Sequence, residues 1–185
     1  MTLASTKDKA KVGLGGGGEA WLRQVTSAGV DLGTPDTNHS VGYIETSDLD
    51  DNTEEVKVYD ETGALVANVL DKRTVVWKCT LQQSSGDEIA IMDECRGKFY
   101  RLYTYSGIRN NKHQEWLYGI CTVKPHLALA WKTGAVTNIP LEITILKVDT
   151  QITALNTDLP TVKKTAGSII VAAGAYYKMT ETAVV

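Results

Sequence analysis

The glycine run Gly13–Gly18 (GLGGGG) comes closest to a recognisable chemistry, the cradling of a phosphate by backbone amides. That chemistry needs a strand before the glycines, then Lys and Ser or Thr opening a helix after them. Glu19-Ala20-Trp21 follows instead, so the run reads as part of a flexible arm. His39, His113 and His126 keep no metal-ligand spacing with one another or with Cys79, Cys95 and Cys121. The three cysteines lie far apart; they suit small apolar places in a core better than a disulfide framework or a nucleophile. Asp48, Asp50, Asp51 and Glu54 crowd together without the spacing or the central glycine of an EF-hand, which leaves a weak surface calcium site or a solvated loop. Asn38-His39-Ser40 matches a glycosylation sequon, a chance match in a chain that shows no secretion signal. The stretch Phe99–Tyr105 (FYRLYTY) has rings that could stack on bases. It lacks the glycine-bearing pattern of an RNA-recognition strand, and its β pattern favours core or interface packing. The sequence therefore assigns no catalytic, cofactor-binding or metal-binding residue, and the expectation is that the chain is not an enzyme.

The strongest signal is an opposition of charge. Between Glu45 and Glu61 eight acids (Glu45, Asp48, Asp50, Asp51, Glu54, Glu55, Asp60, Glu61) face one base, Lys57, for a net −7. Between Arg96 and Lys147 eight bases (Arg96, Lys98, Arg101, Arg109, Lys112, Lys124, Lys132, Lys147) face Glu115 and Glu142, for a net +6. Two opposed patches on one chain suit head-to-tail contact between identical copies, because each copy then bears both complementary surfaces. Two solvated faces are the plainer use of the same charges.

With 185 residues, 43% of them hydrophobic, the chain is long enough for one domain with a real core plus arms. A net charge of −3 argues against a dedicated nucleic-acid binder. No apolar run nears the ~20 residues of a membrane-spanning helix, and the start lacks the apolar centre of a signal peptide, so synthesis in the cytoplasm is expected.

Residues 1–18 read as the flexible arm, 19–150 as the folded domain and 151–185 as a C-terminal extension packing on its own or a neighbouring subunit. Glu19–Val30 is a short amphipathic segment using Trp21, Leu22 and Val25, broken by Gly29, Gly33 and Pro35. Val56–Tyr59, the turn Asp60–Gly63 and Ala64–Leu70 form a hairpin. Arg73–Gln83 is the clearest strand, with Val75, Trp77, Cys79 and Leu81 on one face. Ser85–Gly97 predicts a helix, with Ser85 and Glu88 as a capping box and Gly97 closing it in a left-handed conformation. Phe99–Tyr105 is a strand, Ser106–Gln114 a polar loop, and Glu115–Lys124 and Leu127–Lys132 are strands separated by Pro125. Ile139–Val148 alternates again with Leu141, Ile143 and Ile145 aligned, and Thr165–Lys178 adds a strand or acts as an arm that orders on a neighbour. The expected fold is mainly β: a β-sandwich or partly closed β-barrel with one flanking α-helix.

This organisation resembles the bacteriophage tail tube proteins, relatives of the tubes of contractile injection and type VI secretion systems. The resemblance covers about Val41–Val148 and rests on VKVYDETGALVANVLDKRTVVWKCTLQQ (Val56–Gln83), SSGDEIAIMDECRG (Ser84–Gly97) and IPLEITILKV (Ile139–Val148). It implies a virion protein of the tail, without active site or cofactor, whose hexameric rings stack into a tube that conducts DNA into the host. The implied partners are further copies of the chain, a terminator, a baseplate or tip, a sheath if the tail contracts, and DNA in transit. Within that frame the acidic stretch either joins stacked rings or lines the channel, where negative walls would repel phosphates. The alternatives are another virion component (tail terminator, baseplate subunit or capsid decoration protein) or an enzyme or carbohydrate-binding module.

Overall fold

The computed structural model describes residues 19–32, 39–41, 43–83, 95, 97–109, 112–125, 139–155, 159 and 167–183. Those residues form ten strands: β1 (Glu19–Val25), β2 (His39–Ser40), β3 (Tyr43–Tyr59), β4 (Leu65–Gln83), β5 (Phe99–Arg109), β6 (Lys112–Pro125), β7 (Ile139–Leu146), β8 (Ile152–Ala154), β9 (Ile169–Val171) and β10 (Tyr177–Ala183). The main sheet runs β2-β1-β5-β6-β7-β4-β3, with β10 also paired to β6, and β8 and β9 make a small sheet of their own. Every pairing is antiparallel. The protein is thus mainly β, as the alternating patterns predict. Among the described residues there is no helix, and none that could cross a membrane.

Side chains alternate across each strand, and both faces of the central strands are apolar. One face gathers Leu22, Val75, Trp77, Leu102, Tyr118 and Ile143. The other gathers Trp21, Tyr103, Leu117 and Ile120 under Ile152 and Val171 of the small sheet. Val75, Trp77 and Cys79 share the buried face expected of them, as do Leu141, Ile143 and Ile145.

Several local expectations change. Glu19–Val25 is a strand beside β5, because Ala20 and Leu22 feed one core while Trp21 feeds the other. Leu65–Leu70, of the expected Ala64–Leu70, and Arg73–Gln83 belong to one continuous strand, β4. The acidic stretch is strand β3 along nearly its whole length, since alternate charges sit comfortably on an edge strand with open faces. Ser106–Gln114 is no loop: β5 continues to Arg109 and β6 starts at Lys112, with Arg109 opposite Lys112. Thr165–Lys178 contains β9 and the start of β10, which pair within the chain with β8 and β6. The helix expected over Ser85–Gly97 lies outside the described residues except for Cys95 and Gly97, of which Gly97 has the left-handed φ of 71° expected of it. The arm 1–18 and the strand Leu127–Lys132 also lie outside them.

β6 has three neighbours. β5 lies along one edge, and β7 and β10 divide the other: Leu146 sits opposite Ile120, and Tyr177 opposite Tyr118. Gly119 stands at the division. A Cβ there would lie 2.6 Å from Val148 Cγ1 and 3.0 Å from Ile152 Cδ1, so only glycine admits that close approach. Gly119→Ala should therefore destabilise the fold by about 1–3 kcal/mol through overpacking. Denaturant unfolding measures it, and Val148→Ala in the same chain should recover part of the loss.

Candidate functional site

The feature that stands apart from the packed sheet is the β3–β4 hairpin. Its tip is set by Asp60. Asp60 Oδ1 accepts from the Thr62 N–H at 2.8 Å, the Thr62 hydroxyl at 2.7 Å and the Ala64 N–H at 2.9 Å. Gly63 N–H donates to Asp60 O at 3.0 Å, and Gly63 takes the φ of 81° that closes the turn. The Thr62 hydroxyl, then the backbone amides, hold the Asp60 carboxyl below its usual range.

β7 flanks β4 only over Val75–Leu81. Beyond it the pairs from Asn52↔Thr74 to Tyr59↔Leu65 continue as a two-stranded ribbon, about 23 Å long at ~3.3 Å per residue. Near the tip Val58 is 46% exposed, Tyr59 57%, Leu65 54% and Val66 64%. Successive residues point to opposite faces, so the ribbon end is apolar on both.

At the root, Arg73 grips Asp51 with two parallel hydrogen bonds, Nε to Oδ1 at 2.7 Å and Nη2 to Oδ2 at 2.5 Å. Two tyrosines from the start of β10 complete the contact. Tyr177 OH donates to Asp51 Oδ2 at 3.0 Å, and Tyr176 OH donates to Arg73 O at 3.2 Å. The guanidinium lies 4.9 Å from the Tyr176 ring centre and 5.9 Å from that of Tyr177. Arg73 holds the Asp51 carboxyl below its ordinary pKa, and Asp51 in turn raises that of Arg73. Asp50 accepts from Lys78 at 3.3 Å and from Asn52.

Three bases of the region predicted to oppose these acids have local partners. Arg101 is 4% exposed; it donates to Gly29 O at 3.2 Å and lies 3.9 Å from Asp31, which also binds Arg23. It is a core group rather than a docking charge. Lys112 pairs with Glu181 at 3.0 Å, a carboxylate that Gln114 also binds at 2.9 Å, and Lys124 pairs with Glu142 at 3.2 Å. The Arg109 side chain lies outside the description.

Of the histidines, His39 is in β2, His113 shares a 2.6 Å hydrogen bond with Tyr105 OH, and His126 lies outside the described residues. Cys79, Cys95 and Cys121 are buried free thiols, and burial pushes Cys79 up to about 12, which makes a poor nucleophile. Among the described residues no group of three or more His, Cys, Asp or Glu is placed to hold a metal ion. Asp48, Lys78 and Glu142 line a groove of about 430 Å³ floored by Cys79 and Leu141.

No protein-family model matches this chain, and no curated protein matches it.

Sequence reasoning missed two constellations. Tyr103 OH donates to Glu115 at 2.5 Å, with both side chains buried. The signal was a lone Glu in the apolar run EWLYGICTV, sharing a face with Leu117. The Asp51–Arg73–Tyr176–Tyr177 contact joins residues up to 126 positions apart, and no local pattern announces it.

Two predictions follow from these geometries. Tyr103→Phe should cost about 1–3 kcal/mol in unfolding free energy, because a buried carboxyl loses a donor. Asp51, Asp60 and Glu181 all have depressed folded pKa values, from Arg73, Thr62 and Lys112 respectively. Their contributions are complete above the unfolded carboxylate range and fade as pH falls through the folded values. Acidification from about pH 5 to about pH 2 should therefore lower the protection of the Thr62 and Ala64 amides, read as their exchange rate relative to that of an unstructured peptide at the same pH. Asp60→Ala should show that loss of protection already at neutral pH.

Proposed function

We propose that this chain is a structural subunit that works by assembling with copies of itself, as the stacked, hexameric rings of a bacteriophage tail tube or a related injection machine that conducts DNA. The observation that carries the reading is the β3–β4 ribbon. A two-stranded ribbon is marginal alone in water, and this one exposes Val58, Tyr59, Leu65 and Val66 at its far end. Both costs are relieved when the tip enters an apolar seat on another copy. Such a contact is heterologous, and it propagates into rings or stacks.

The subunit fold that belongs with this reading is a partly closed barrel. Its support is the position of β2 and β3 at the two ends of the sheet path although they are nearly consecutive in the chain. Val41, between them, donates to Ala20 O of β1 at 3.0 Å, and Ile44 of β3 belongs to the same buried cluster as Ala20 and Leu22.

Electron microscopy of the purified chain at rising concentration, and of the particle it comes from, tests the proposal: rings or tubes are expected. Protein that stays monomeric at high concentration and forms no rings in its particle removes it. Val66→Asp should leave unfolding within about 0.5 kcal/mol, because the side chain is exposed. It should raise the concentration needed for assembly by about tenfold if the tip is a central contact.

A further inference from the structure

The ribbon leaves the sheet where β7 ends, and the C-terminal strand takes over the vacated edge of β6 at that level. β10 itself buries little: Lys178, Met179, Glu181 and Ala183 are exposed. Its interior contacts concentrate at its first residue and the one before it. The Tyr177 ring sits 5.4 Å from Trp116 and 5.8 Å from Tyr118, both on β6. Its hydroxyl reaches Asp51 on β3. One side chain therefore spans from the middle of the sheet to the root of the ribbon, while Tyr176 holds the Arg73 carbonyl on the ribbon's other strand.

An exposed ion pair such as Asp51–Arg73 contributes little alone. Here it is two-pronged, lies against two rings and shares its carboxylate with a tyrosine, so it fixes a direction as well as a distance. We propose that Tyr176 and Tyr177 are positioning residues that make β10 a clamp, holding the β3–β4 ribbon in its docking orientation and so coupling self-association to the seating of the C-terminal strand. The coupling to association rests on the function proposed above; the clamp itself does not.

The two parts separate experimentally. Amide hydrogen exchange is followed on the full chain at a concentration too low for association, in the parent, in Tyr177→Phe and in Arg73→Lys. Tyr177→Phe keeps the ring on Trp116 and removes only the hydroxyl. Arg73→Lys keeps the charge and removes the two-pronged grip. Each should speed exchange of ribbon amides such as Val58 and Ala67 by roughly fivefold, with β5 and β6 amides unchanged. Asp51→Asn added to Tyr177→Phe should bring less than the product of the two effects, since both act on one contact. Unchanged ribbon exchange in both variants overturns the clamp, as does an acceleration shared equally by β5 and β6. Association is then measured by light scattering across concentration, where the loosened variants should need several times more protein. Looser ribbons with unaltered association overturn the coupling. A parent that never associates overturns the coupling and the proposed function together, while the exchange result still decides the clamp.

Discussion

One edge of β6 is claimed by two strands, and much of the molecule is arranged around that division. β7 takes Ile120–Pro125 and β10 takes Lys112–Tyr118, with Gly119 between them. Two backbone bonds hold the changeover: Val148 N–H donates to Ala175 O at 2.9 Å, and Gly174 N–H to Val148 O at 2.7 Å. Val148 then turns inward over Gly119 and carries the chain to β8, which roofs the second core. Because β7 stops there, β4 loses its neighbour at Val75 and continues with β3 alone. The projecting ribbon is thus a consequence of how β6 shares its hydrogen bonds, which is a backbone constraint that every buried strand must meet.

The same geometry decides where the charges act. Two patches of net −7 and +6 in sequence invite a long-range account. In the fold, Asp50 and Asp51 find Lys78 and Arg73 on the adjoining strand, Lys124 finds Glu142 and Lys112 finds Glu181. Partners at about 3 Å win over partners beyond a screening length of about 8 Å at physiological salt. Arg101 goes further and leaves the surface altogether. Attraction between separate patches is left with the residual charge, so cohesion in the proposed assembly falls to apolar contact at the ribbon tip and to strand edges.

What the sequence made legible follows from how local each determinant is. The hairpin at Asp60–Gly63 was readable because its turn chemistry is contained in four residues. The buried faces of β4 and β7 were readable because period-two alternation is local too. β1 was harder: strands buried on both faces lose their alternation, and Ala20-Trp21-Leu22 reads equally as a piece of amphipathic helix. Asp48–Glu54 reads as a solvated loop when charge is weighed above pairing, and it is the middle of β3. The contacts that seat the ribbon were illegible for a different reason. They depend on β10 returning to β6 from the far end of the chain, and two adjacent tyrosines in a polar tail give no hint of which arginine they will meet.

β3 also bears on which contacts the proposed assembly would avoid. Among the described residues it has no strand on its outer edge, over 17 residues, which is a long template for pairing with another chain. Pairing two copies through this same edge would set one run of six acids (Glu45, Asp48, Asp50, Asp51, Glu54 and Glu55) against another. Like charges across such a ladder are destabilising, and register shifts at Ile44/Thr46 and Glu54/Glu55 further spoil a straight match. The edge therefore resists a symmetric, self-terminating dimer. A different surface of the next copy meets no such repulsion, so the contacts that remain favourable join unlike faces. Contacts of that kind leave each added copy with an unfilled face, and this is the property that lets a subunit close into a ring or continue a stack.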